Sequence, residues 1–255
     1  MSSTWSAIYL GHSATFMDPY EGDNHAENAD SFVGNTYGSA DDPLAGHIVD
    51  ITAQGNDWRG RTLDTNNARA SDKISYDLGG GEQAHEFDTA VTYEAVLTYT
   101  DCSQVSLNSG VLQDTSGNLF LIPSTSATSS MTQVYEAKAI QSIELGPVQR
   151  DNHNGLTLSR HDTGFVCFAA GSLIDTPQGA RPVEALRQGD LVDTLDHGPQ
   201  PILWTGARRV LPRGANRAYR IMAGALGGRD SASGPDFVGA APGIAALCHH
   251  RQNDR

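Results

Sequence analysis

Val91-Thr92-Tyr93-Glu94-Ala95-Val96-Leu97-Thr98-Tyr99-Thr100 is the stretch that decides the fold class. Val91, Tyr93, Ala95, Leu97 and Tyr99 fall on one face, and the other face is mostly Thr and Glu. Successive side chains of a strand point to opposite faces, so a two-residue period rich in β-branched and aromatic residues predicts a half-buried strand. Downstream, Val111-Leu112 and Leu119-Phe120-Leu121-Ile122 flank Asp114-Thr115-Ser116-Gly117-Asn118. That pattern reads as a hairpin with a Gly-containing loop. Ser124 to Ser130 reads as a Ser/Thr loop. Val134 to Leu145 alternates as a strand does, although Ala137-Lys138-Ala139 would also suit a helix. The neighbouring strands favour the strand reading.

Upstream, residues 1 to about 80 are rich in Asp, Asn, Gly and Ser. Their apolar stretches are short: Ala7-Ile8-Tyr9-Leu10, Ser31-Phe32-Val33 and His47-Ile48-Val49-Asp50-Ile51. Turn chemistry such as Asp41-Asp42-Pro43 separates them, so short strands on long loops are expected. Asp18, Glu21, Asp23, Asn24, Glu27, Asn28 and Asp30 form an oxygen-rich run without EF-hand spacing, and it reads as a solvated acidic loop. Gly146 to Gly164 is polar, turn-rich and without a clear period, as a linker would be.

Composition narrows the function classes. With 255 residues and 38% hydrophobic residues, the chain can build a core. No run approaches the roughly 20 apolar residues of a membrane span. Met1-Ser2-Ser3-Thr4-Trp5 has neither a basic nor an apolar segment, so it is not a signal peptide. The expectation is a cytoplasmic protein, or one secreted by a route that needs no such signal. Residues 1–166 carry 22 acidic and 7 basic residues, whereas residues 167–255 carry 8 and 10. A change of that size points to two units. The acidic unit would repel phosphate backbones, which argues against nucleic acid as a partner. Cys102, Cys167 and Cys248 match no zinc pattern and are too few for a disulfide scaffold. No metal and no cofactor is expected.

The second unit opens with Cys167-Phe168-Ala169-Ala170-Gly171-Ser172-Leu173-Ile174-Asp175-Thr176-Pro177-Gln178-Gly179. Ser172 to Thr176 reads as a strand, Pro177-Gln178-Gly179 as a tight turn, and Val183 to Leu186 as one helical turn. Gly189-Asp190 makes a second turn and Leu191 to Thr194 a second strand. Asp196-His197-Gly198-Pro199 breaks the chain. Pro201 to Thr205 then gives a third strand, and Tyr219 to Met222 a fourth.

This order of Cys-Phe-x-x-Gly-Ser-x-Ile, Thr-Pro-x-Gly, Pro-Val-Glu-x-Leu, Gly-Asp-x-Val and Pro-Gln-Pro-Ile with a Trp strand resembles the bacterial Hint (hedgehog/intein) domain. The likeness runs from Cys167 to about Leu226. It implies a self-processing module in which the Cys167 thiol attacks the carbonyl of Val166 and converts the peptide bond into a thioester. An amide resists such attack because of its resonance. A free thiol, with a pKa of about 8.5, needs activation. The leaving nitrogen needs a proton donor, and the oxyanion needs polar donors. The resemblance implies that a downstream Ser/Thr-Pro-x-His or Thr-x-x-His block supplies the donor.

Here the sequence departs from the pattern. Asp236-Phe237-Val238 looks like the start of that block, but Gly239-Ala240-Ala241-Pro242-Gly243 follows without a His. His249 and His250 are the substitute acid candidates. The expectations are an all-β chain with an acidic β-rich region at 1–150, a linker at 151–166, an incomplete Hint domain at 167–238 and an atypical tail at 239–255 read as disordered. A C-terminal truncation, for instance by a frameshift near Asp236, would leave self-cleavage weak or absent. No turnover of an external substrate is expected. The alternative is a non-enzymatic secreted or surface-binding β protein with an inert Hint remnant, whose N-terminal region holds an extracellular or surface ligand.

Overall fold

The computed structural model describes residues 2–55, 61–65, 72–161, 163, 168–169, 172–194, 198–202, 204–208 and 244–248. Strands dominate them, as the alternation around Val91 predicts. In chain order the first strands are β1 (Ser2–His12), β2 (Thr36–Tyr37), β3 (Ile48–Gln54), β4 (Thr62–Leu63), β5 (Lys73–Tyr76), β6 (Gln83–Tyr99), β7 (Gln104–Asp114) and β8 (Asn118–Ile122). Helix α1 (Ser130–Ala137), β9 (Ile140–Arg150) and β10 (Leu156–Thr157) follow.

Eight of these strands form one antiparallel sheet in the order β2-β9-β6-β5-β3-β1-β8-β7, and β7 also pairs with β6. That extra pairing closes β6-β5-β3-β1-β8-β7 into a ring. Strand β6 makes closure possible through its length. It pairs with β5 over Gln83 to Glu86, and then with β9 from Thr92 to Tyr99 along the same edge. Closure removes the exposed edges that an open sheet would present.

Two apolar clusters occupy the two faces of the strands. Trp5, Ile51, Ile74, Tyr76, Phe87, Leu112 and Phe120 represent all six ring strands in one cluster. Val91, Tyr93, Ala95, Leu97 and Tyr99 belong to the other, with Val111, Leu121, Ile143 and Leu145. Adjacent residues such as Leu119 and Phe120 therefore enter opposite cores, as strand geometry requires. The buried Tyr93 hydroxyl donates to the Ala29 carbonyl at 2.8 Å, so its polar tip is satisfied inside the core.

The hairpin predicted after Val111 is present. β7 and β8 pair from Gly110↔Ile122 to Gln113↔Leu119. The turn needs Gly117, which sits at φ 85, where a Cβ would lie 2.3 Å from the Ser13 carbonyl oxygen. The carboxylate of Asp114, fully buried, accepts from the Ser116 and Asn118 amides at 2.9 Å and from the Tyr76 hydroxyl.

Several expectations change. Val134 to Leu145 is not one strand: it begins inside α1 and passes into β9. Ser129 starts the helix, its hydroxyl accepting from the Thr132 amide at 3.1 Å. Burial of Tyr135, with its hydroxyl donating to Ser109 at 3.1 Å, anchors it. A serine N-cap and one aromatic anchor thus outweigh the alternation. Ser31-Phe32-Val33 is not a strand either. Ala29–Phe32 is a 3-10 turn that inserts Phe32 into the core. The first strand is long, since Ser2–His12 continues through Thr4 and Ser6, and Ser6 donates to Asp50 at 2.9 Å. Within the stretch read as a linker, β10 pairs with β4, and Leu156 and Leu158 are buried beside Trp5. The oxygen-rich run is not wholly solvated, because Asp18 is only 3% exposed.

Candidate functional site

Past residue 163 the described chain is a set of short hairpins. β11 (Phe168–Ala169), β12 (Leu173–Ile174), β13 (Arg181–Pro182), β14 (Leu191–Thr194), β15 (Gly198–Pro201), β16 (Trp204–Arg208) and β17 (Ile244–Cys248) complete the order. The Thr176-to-Gly179 turn closes β12 onto β13. Gly179 donates to the Thr176 carbonyl at 2.8 Å and sits at φ 104, while the Thr176 hydroxyl donates to the Gly179 carbonyl at 2.6 Å. Val183 begins a 3-10 turn, and its amide reaches the Ser172 carbonyl at 2.8 Å.

A second clasp holds the next hairpin. Asp190 accepts from the Arg181 guanidinium and from the Arg187 amide, both at 3.0 Å. Arg181 also reaches the Ala185 carbonyl at 2.9 Å. Inside this frame Leu186, Val192 and Ile202 are buried, with Ile174 against them. The Gly198-Pro199 break is itself part of a strand, since β15 pairs with β14 from Thr194↔Gly198 to Leu191↔Pro201. Backbone pairing outranks the two prolines because, among the described residues, β15 pairs along one edge. The strand expected over Pro201 to Thr205 is accordingly divided between β15 and β16.

The third element of this part is a sheet in the order β11-β17-β16. Residues 239–255, expected to lack regular structure, supply its central strand. The run Ile244-Ala245-Ala246-Leu247-Cys248 is continuous in apolar residues rather than alternating, so a two-residue period does not reveal it. Phe168 pairs with Ala245 and Ala169 with Ile244. The C-terminal end of β17 therefore runs past the N-terminal end of β11 and pairs there with β16, as Cys248 does with Trp204. Cys167 immediately precedes β11, and His249 and His250 immediately follow β17. Val166, Cys167, His249 and His250 themselves lie outside the described residues, as do Tyr219 to Met222 and Asp236 to Val238.

Two strongly perturbed carboxyls lie elsewhere, in the first unit. Gln113 clamps the loop after β1 by accepting from the Met17 amide at 2.6 Å and donating to the Thr15 carbonyl at 2.9 Å. Asp18 follows, buried, and its Oδ1 has no hydrogen-bond partner among the described residues. Burial, then the charges of Glu21, Asp88 and Glu27 and a hydrogen bond with Glu27, push its pKa up to about 8. Asp88, at the β6 bulge and 3% exposed, is pushed up to about 7 by burial and by Glu21 and Asp114. Among the described residues no group of three or more His, Cys, Asp or Glu is arranged to hold a metal ion. Sequence reading missed this pair because nothing in the local pattern places Asp88 at a bulge. Cys102 lies exposed in the β6–β7 turn. No helix among the described residues is long and apolar enough to cross a membrane.

Comparison with known families matches residues 166–233 to the Hint domain. No curated protein and no solved structure matches the chain. The matched stretch begins one residue before Cys167 and includes both clasped hairpins, so the chain is a Hint domain-containing protein.

Proposed function

We propose that the chain is an autoprocessing protein that cleaves itself at Val166–Cys167, with Cys167 as the nucleophile. One observation carries the reading: the Hint match begins at Val166, which puts a cysteine at the head of a module from a family that is usually autoprocessing. The Cys167 sulfur, as thiolate, attacks the Val166 carbonyl carbon. The C–N bond of the peptide then breaks, and the thiol's proton ends on the leaving nitrogen. A thioester and a free α-amine result, an isomerisation with no atom gained or lost. Water attack on the thioester then leaves a carboxylate at Val166 and restores the thiol.

The leaving nitrogen needs a donor, and residues 239–255 offer His249 and His250 rather than a Pro-x-His block. The pairing of β17 with β11 supports this assignment, since the strand that leads into these histidines runs beside the one that follows Cys167. Loss of general-acid help costs about 10² to 10⁴ in rate, so slow cleavage is expected. Intact-mass measurement of purified protein tests the reading. The expected result is a fragment of residues 1–166 that accumulates over time and is absent from Cys167→Ala. A protein that stays whole, or is cut equally in Cys167→Ala, would overturn it and leave the acidic β unit as the functional part.

A further inference from the structure

Two of the acidic unit's few positive charges meet in one cleft. Residues 1–166 contain seven Lys and Arg residues, and two of them, Arg150 and Arg160, line a single cleft together with His153. The cleft has a volume of 470 Å³ and lies between segment 153–160 and the ring strands at Ala90 and Ile122. That volume is in the range of small-molecule sites.

Arg160 is held in place from two sides. Its guanidinium carbon lies 5.9 Å from the centroid of the Trp5 ring, and Nη1 donates to the Pro123 carbonyl. Its Nε is buried and has no hydrogen-bond partner among the described residues. The buried indole N–H of Trp5, beneath it, also lacks an acceptor there. The ion pairs among the described residues involve Arg181 and Lys138 and four histidines, but not Arg160. Burial lowers its pKa to about 10, which leaves it charged at neutral pH. A desolvated cation without an anion is costly, and an orphan buried donor calls for an acceptor. His153 stands 3.3 Å from the Thr92 hydroxyl, and burial and the charges of Arg150 and Arg160 lower its pKa. The same positive potential that disfavours a second charge on His153 favours an anion in the space between.

We propose that this cleft binds a small organic anion, with a carboxylate or phosphate head on Arg160 and Arg150 and a compact apolar body against Ala90, Ile122 and Met131. A planar guanidinium matches two oxygens of such a head. The mouth carries Arg150, which is exposed and steers the head inward. None of the cleft's lining residues falls in the Hint stretch, so the inference stands whether or not Val166–Cys167 is cut.

Isothermal titration of the full chain with benzoate, phenyl phosphate and inorganic phosphate tests it. The expected result is a Kd of about 1 mM or tighter for benzoate or phenyl phosphate. The tighter of the two identifies the head. Inorganic phosphate, lacking an apolar body, should bind at least about fivefold more weakly. Arg160→Gln should weaken the preferred probe about tenfold or more. Because Arg160 also packs on Trp5, Arg150→Gln at the mouth gives an independent reading, with an expected loss of about fivefold. Absence of binding by both organic probes to the folded protein would overturn the proposal, as would full affinity in Arg150→Gln.

Discussion

Asp18 offers a pH dependence opposite to that of an ordinary carboxylate. Its pKa is pushed up to about 8 and that of Asp88 to about 7, whereas an unfolded aspartate titrates near 3.9. Above about pH 4 the unfolded chain releases these protons, while the folded chain keeps them until about pH 7 to 8. The native state thus binds more protons in between, and its stability falls as pH rises. One proton held only by the folded state is worth about 1.4 kcal/mol per pH unit. Counting the proton on Asp18 alone, the more strongly shifted of the two, sets a lower bound. From pH 5 to 7 that gives a loss on the order of 3 kcal/mol. Urea unfolding of the full chain at half-unit pH steps measures it. Asp18→Asn keeps the shape and removes the titration, so its profile should be flatter and it should be the more stable protein at pH 8. A wild-type profile that is flat or rising from pH 5 to 8, or an Asp18→Asn variant weaker than wild type at pH 8, would refute the reasoning. So would a rise in the wild-type midpoint on adding calcium that Asp18→Asn lacks, because it would put a cation where the reasoning has protons.

Three further substitutions test the packing. Leu158→Ala should cost about 3 kcal/mol in urea unfolding, because Leu158 is 3% exposed in the cluster around Trp5; a loss near zero would mean that this segment does not share the core. Gly117→Ala should cost about 2 kcal/mol or more, since the new Cβ meets the Ser13 carbonyl oxygen and the residue must keep φ 85; amide exchange in β7 and β8 should quicken with it. Ser129→Ala removes the cap of α1 and should lower stability by about 1 kcal/mol by the same assay.

What the residues announce and what they conceal divide along physical lines. Val91 to Tyr99 is legible because its alternation matches one apolar cluster residue for residue. The hairpin at Gly117 is legible because its turn demands a glycine. The clasped hairpins after Leu173 are legible for the same reason at Gly179 and Gly189. Closure of the ring is not, since β1–β8 pairing joins residues more than a hundred positions apart, such as Ile8 and Leu121, and leaves no local period. Helix α1 hides in a Ser/Thr-rich stretch because Ser129 is one serine among several, and only its hydrogen bond to Thr132 distinguishes it. Arg150, His153 and Arg160 fall in a segment whose polarity reads as a linker. Their convergence follows from Leu156 and Leu158 entering the core, a tertiary event. The burial of Asp18 likewise follows from the clamp of Gln113 on Met17, 96 positions apart in the chain.

Trapping of the Val166 acyl group bears most directly on self-processing. Incubating the full chain with hydroxylamine at neutral pH should release residues 1–166 carrying a C-terminal hydroxamate on Val166, faster than hydrolysis alone and never from Cys167→Ala. An unchanged chain after prolonged hydroxylamine treatment would contradict a thioester at this junction.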